Sequence, residues 1–360
     1  MKGKQRNKMK LISNILIILV LFLTSLSVKA AEGEKINATG IVLEHVKDSH
    51  EWHITGEGDR AVVIHLPVIV YSSTGWHIFS SAQFAEEADS QGMRQGPYNL
   101  ALGEGEAEPY SGKIVEKTGD EYKPVIDISI TKTVANLFID ALVLLFIIIY
   151  TSRWYRTHKA TDPAPAGFRG LMEMLVMYIQ EDIIRPSVGK GYEKYCPYLL
   201  SAFFFIFVCN LMGLIPFGGN VTGNIAITFF LALCTFIITQ FSGNRHYWKD
   251  IFWPNVPGPV KVIMIPIEFV GIFTKPFALM IRLFANMLAG HAIALALTCI
   301  IFIVAATMSR GWLYGLGSFS VWLSIIMMLL ELLVCFLQAL VFTMLSATFI
   351  GLARTEPEEE

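Results

Sequence analysis

Cysteine is scarce in this chain: five in 360 residues, and none before Cys196. The first half therefore has no disulfide framework. The five (Cys196, Cys209, Cys234, Cys299 and Cys335) lie in or beside apolar runs and read as small buried hydrophobes. Charge is scarce too. Only 16% of residues are Asp, Glu, Lys or Arg, the net charge is −2, and no basic domain exists; nucleic acid is not an expected partner. No phosphate-binding glycine loop is present. No pair of repeated halves marks an inverted-repeat transporter.

What the chain has is apolar length. A hydrophobic share of 54% places it among membrane proteins. Residues 1–30 read as a secretory signal: Lys2, Lys4, Arg6, Lys8 and Lys10 precede the apolar run 11–26, and Ala30 offers a cleavage site. The run is long for a signal core, so an uncleaved anchor is the competing reading. Residues 31–127 read as a small exported, β-rich region. Short apolar or alternating segments (GIVLEHV, EWHITGE, RAVVIHLPVIVYSS, GWHIFSS) are separated by Gly, Asp and Pro. Residues 86–120, rich in Gly, Glu and Ser, read as a loose loop. His45, His50, His53, His65 and His77 match no strong zinc spacing. They are read as strand and surface residues, and no metal or cofactor is expected.

Residues 128–360 form the membrane part. The spacing predicts spans at about 134–151, 198–215, 225–241, 262–306 and 318–352, the last two longer than the ~20 residues a crossing needs. Asn136 and Asp140 fall near the outer end of the first span, where partial hydration is expected. Arg153, Arg156 and Lys159 mark the far side of that span as cytoplasmic. Residues 167–185 carry Phe168, Leu171, Leu175, Ile179 and Ile183 at helical spacing, with acids elsewhere. They read as an amphipathic helix on the membrane surface, ended by Pro186. Residues 309–317, SRGWLYGLG, read as the turn between the last two spans.

One stretch organises the rest. Glu268, Lys275, Arg282, Asn286 and His291 all sit inside a long apolar helix. A charge at the bilayer centre costs ~2.5–3.5 kcal/mol or more, so such residues face protein or water. At ~100° per residue, Glu268, Lys275, Arg282 and Asn286 form one stripe, and His291 lies on the opposite side. A buried salt bridge is the bland reading, but Arg282 has no acid three or four residues away.

The segment RLFANMLAGH, preceded by an acid and TKP, resembles the signature of subunit a of F-type ATP synthases. LELLVCFLQALVF resembles that family's last helix, and NLMGLIP its second, with Gly213 where some members carry an acid. The resemblance covers roughly 133–353. It implies an all-α polytopic membrane protein with about five membrane helices, including a long tilted C-terminal helical hairpin. The implied role is a proton-translocating stator subunit with two half-channels beside a rotating c-ring. Implied partners are the c-ring proteolipid, a subunit b-type peripheral stalk, the rest of the ATP synthase complex and membrane lipid. ATP chemistry would reside in other subunits. The implied location is a bacterial inner membrane, with the N-terminal region periplasmic and the C-terminus cytoplasmic.

The implied site comprises Arg282, Asn286, His291, Glu331, Gln338 and Glu268. In an antiparallel hairpin, facing residues have a constant sum of numbers; one register then sets Arg282 level with Gln338 and His291 level with Glu331. Family members often carry an acid where His291 stands and, in some, a histidine where Glu331 stands; the exchange preserves a His/acid pair. Proton entry past Glu331 and His291, a fixed charge at Arg282 and an exit near Glu268 follow as expectations. Two other classes remain: an ion-coupled secondary transporter using Arg282 for an anionic substrate, and a non-transporting scaffold.

Overall fold

A computed structural model of the chain describes residues 48–55, 62–85, 88–89, 91–103, 110–119, 121–158, 164–215, 221–254, 257–307 and 310–354. The expected signal sequence, its expected cleavage site, the first expected strand and His45 lie outside these residues.

Among the described residues, the N-terminal region contains nine short strands. β1 (Glu51–Thr55) pairs with β2 (Val62–His65); β3 (Pro67–Ser72) lies between β4 (Gly75–Ser80) and β9 (Ile126–Asp127). β5 (Met93–Gln95), β6 (Leu100–Gly103), β7 (Ile114–Thr118) and β8 (Glu121–Pro124) form a third antiparallel sheet in sequence order. Alternation sorts the faces: Val68 and Val70 are buried while Tyr71 is exposed. Val68, Val70 and Phe79 of one sheet pack with Leu100, Leu102 and Ile114 of another, a small sandwich core.

Much of 86–120, expected as a loose loop, is therefore sheet. Its strands are only three to five residues long and are held by cross-strand partners such as Leu102 and Ile114. Local composition cannot report pairing of that kind. Arg94 reaches from β5 to Glu51 on β1 through two hydrogen bonds of 3.1 and 3.0 Å. His50 is buried and bonds Asp127 at 3.0 Å. Burial pushes the Asp127 carboxyl up, but bonds from His50 and Ser129 outweigh it and hold it below the usual carboxylate range.

The strand region is tied to the first long helix, α1 (Lys132–Thr157). Thr131 caps it through Val134 N–H, Asp48 accepts from Thr133 N–H at 3.0 Å, and Lys132 N–H donates to Ser49 O at 2.8 Å. An acid at a helix N-terminus satisfies orphan donors and the helix dipole together.

The amphipathic segment is α2 (Phe168–Met177), a π-helical stretch (Tyr178–Ile184) and α3 (Arg185–Val188). Pro186 does not end it. Proline lacks an N–H and crowds the preceding turn, and a widened π turn before it absorbs the missing bond; the helix stops at Gly189, with φ of 74°. Ile179 and Ile183 are buried as expected, whereas Phe168 and Leu171 are exposed.

α4 (Cys196–Gly213), α5 (Ile225–Ser242), a short α6 (Arg245–Phe252), α7 (Gly258–Thr307) and α8 (Arg310–Arg354) complete the chain. Residues 310–317, expected as a turn, are the first turns of α8; isolated glycines cost about 1 kcal/mol each in a helix and do not break it. Among the described residues, five helices are long and apolar enough to cross a membrane. Their packing core joins Phe203 and Ile206 of α4 with Leu279 and Leu283 of α7 and Phe342 and Ile350 of α8. Small polar residues stitch the seams: Tyr198 OH lies 2.8 Å from Thr235 Oγ1, which lies 3.2 Å from Ser346 Oγ, the kind of interhelical bond that membrane packing uses. Asn244 Nδ2 donates to Arg354 O at 3.0 Å, closing the end of α8.

Candidate functional site

α7 runs 50 residues with Pro266 and Pro276 inside it, and α8 packs along it. The seam between them holds the polar residues expected to act. Asn286 Nδ2 donates to Gln338 Oε1 at 3.1 Å. Gln338 is buried on α8. The partner differs from the expected one while the level of the hairpin is kept: Gln338 meets Asn286, one helical turn beyond Arg282. The reason is azimuthal. Arg282 and Asn286 are ~40° apart on the helix. Asn286 is half-buried toward α8, while Arg282 is exposed.

Glu331 is half-buried, and its Oε1 would lie 3.3 Å from a Cβ added at Gly290. The carboxylate therefore packs against α7 at the residue preceding His291. The His291 side chain lies outside the described residues, so the expected pair is met at the level of the backbone alone. Glu268 and Lys275 are half-buried on α7. Lys275 Nζ sits 5.8 Å from the centre of the Phe349 ring of α8, a cation–π placement.

Arg282 differs from all of these. Among the described residues it has no ion-pair or hydrogen-bond partner. It stands on a face shared with Ala278, Ala285 and Ala289, all exposed. In an apolar environment such a guanidinium demands an anion. The arrangement therefore presents a fixed cation outward, with a neutral amide pair and a carboxylate behind it.

Several buried polar residues were not singled out from the sequence as site residues. Lys132, Asn136 and Asp140 of α1 are 9%, 5% and 1% exposed. Asp140, expected at a partly hydrated end, is thus enclosed. Asn210 of α4 is fully buried; it accepts from Thr222 Oγ1 at 2.8 Å and donates to Cys335 O at 3.3 Å. The i, i+4 spacing of Lys132, Asn136 and Asp140 was the available signal.

Comparison with known proteins bears on the whole span. The family model described as ATP synthase A chain matches residues 136–351. A model described as a domain of unknown function (DUF8433) matches residues 41–134. The ATP synthase subunit a of Chloroherpeton thalassium is 43% identical over 231 residues, 63% of this chain and 67% of that protein. That of Chlorobium phaeobacteroides (strain DSM 266) is 44% identical over 236 residues, 64% of this chain and 67% of that protein. ATP synthase subunit a 2 of Chlorobaculum tepidum is 47% identical over 232 residues, 63% of this chain and 64% of that protein. A family model covering more than half of the chain, joined to five apolar helices, settles the assignment: the chain belongs to the ATP synthase A chain family, a multi-pass membrane protein that serves the membrane sector of ATP synthase together with the rest of that complex.

Proposed function

We propose that this chain is the proton-conducting stator wall beside the c-ring, and that Arg282 is the fixed charge separating two half-channels. The observation that carries this reading is Arg282 itself: exposed, without a partner among the described residues, inside a long apolar helix. A cation there costs several kcal/mol unless an anion arrives from outside the chain. A carboxylate on a passing ring helix is such an anion.

In this reading residues 1–30 are a signal, 31–127 lie outside, and the arginines after α1 face the cytoplasm of a bacterial inner membrane. A proton enters from outside near Glu331 and His291, passes the Asn286–Gln338 pair and neutralises a ring carboxylate. The neutral site can then face lipid. After most of a turn it reaches the inner side near Glu268, ~21 Å from Arg282 along the helix, and releases its proton there. Arg282 attracts the ionised carboxylate and repels a proton that would cross directly. Arginine suits this role because it stays charged when partly desolvated, whereas lysine sheds its proton. A b-type peripheral stalk would hold the chain against the rotor's torque.

The test is ATP-driven proton pumping and passive proton leak in membrane vesicles. Arg282→Ala should abolish pumping and raise leak. Arg282→Lys should fail to restore coupling. Native pumping in the lysine variant would remove the fixed-charge role.

A further inference from the structure

The polar residues buried on α1 have no role in the path just described. Lys132, Asn136 and Asp140 recur every fourth residue, so they form one stripe along ~12 Å of helix. The same face continues in apolar residues, Leu144 and Ile147, which pack on the membrane core. The polar stripe thus starts at the α1 N-terminus and stops at Asp140. Asn136 Nδ2 turns back to donate to Lys132 O at 2.9 Å. Asp140 is 1% exposed, and its Oδ2 has no hydrogen-bond partner among the described residues. A carboxyl oxygen buried without a donor costs free energy that packing alone does not return. Replacement by an apolar residue would remove that cost, so the acid answers to something other than stability.

Its neighbours lead to the site. The carboxyl lies against the Cys209 thiol of α4. The next residue, Asn210, bonds the Cys335 carbonyl of α8, and the Cys335 thiol donates to Asn210 O at 3.5 Å. Cys335 stands four residues after Glu331 and three before Gln338, so all three share one side of α8.

We infer that Asp140 is a proton-relay carboxylate of the outer half-channel, fed from outside along the Lys132–Asn136–Asp140 stripe and discharging toward Glu331 and the Asn286–Gln338 pair. This rests on the two-channel reading above. The step is proton transfer alone. A proton from outer water bonds a carboxylate oxygen of Asp140, and that O–H breaks as the proton passes to the next acceptor, returning the carboxylate. The elements packed against this part of α1 are α4 and the turn Val221–Gly223. Neither contains Asp, Glu, Lys or Arg. The titratable side chain facing Asp140 is Cys209; Lys132 lies two turns away on its own helix.

The experiment uses the whole ATP synthase in liposomes. ATP synthesis is measured at fixed membrane potential and fixed inner pH while the outer-side pH is varied. Asp140→Asn keeps the shape but holds no exchangeable acid. It should slow synthesis about tenfold or more, with the loss largest at high outer pH, where protons are scarce. Asp140→Glu should restore most of the rate and the native profile. Asp140→Ser, small and unable to serve as an acid, should repeat the asparagine profile if that variant assembles poorly. Native rates with an unchanged profile overturn the relay. So does a uniform loss at every outer pH, which assigns Asp140 to structure. Arg282→Ala, run in parallel, separates the two readings. Pumping retained there defeats the two-channel reading, whereas pumping lost there with a native Asp140→Asn profile defeats the relay alone.

Discussion

The Asn286–Gln338 contact is open to a double-mutant cycle. The bond is 3.1 Å long and joins the two helices that carry the proposed path, with Gln338 only 6% exposed. Asn286→Leu leaves the Gln338 amide oxygen without its donor, and Gln338→Leu leaves the Asn286 amide without its acceptor. A buried polar group left unpaired costs about 1–3 kcal/mol. Measured interhelical bonds in membranes couple more weakly, about 0.6 kcal/mol on average and up to about 1.7. At room temperature that range is about 3-fold to about 20-fold in rate. The assay is the initial rate of ATP-driven proton pumping for both single variants and the double, normalised to assembled complex. The double should exceed the product of the two single effects by that factor, because it leaves neither amide stranded. Rates that simply multiply would show that the two side chains act independently. The 3.1 Å bond would then have no energetic content, and the Asn286–Gln338 pairing would lose its support.

Two further outcomes follow from the edges of the fold. Bonds from His50 and Ser129 hold the Asp127 carboxyl below its usual range. Its contribution is therefore full above the unfolded value of about 3.9 and is lost as pH falls from there through the lower folded value. Hydrogen exchange at the Ser129 and Lys132 amides should accelerate in that acid window. Asp127→Asn should flatten the acid response and weaken the region by about 1.5–3 kcal/mol at neutral pH; an unchanged acid response would remove Asp127 as its source. At the other end, a Cβ on Gly351 would lie 2.0 Å from Ser187 O. Backbone cannot yield as a flexible side chain does, so Gly351→Ala should cost about 1–3 kcal/mol and lower the temperature at which the detergent-solubilised complex dissociates. Equal thermal stability would show that α8 and α3 do not need their close approach.

The sequence alone determined the membrane class, the five spans and the candidate polar residues of the last two helices. Apolar runs of twenty or more, and a guanidinium inside one of them, have few physical explanations, and both are local properties of the chain. The signature around Arg282 added the family. The same local reading could place Asn286 and Gln338 on facing helices, because an antiparallel hairpin fixes levels. It could not fix azimuth. A 40° turn of α7 decides whether Gln338 meets Arg282 or Asn286, and packing of Leu279 and Leu283 against the neighbouring helices sets that turn. The short strands β5, β6 and β7 were likewise illegible, since each is held by partners distant in sequence. Tertiary structure also decided the fate of Asp140. Its position near a helix end suggested water, but α4 and the Val221–Gly223 turn close over it. Enclosure is a property of neighbours, and no periodicity within α1 encodes which of its faces they will cover.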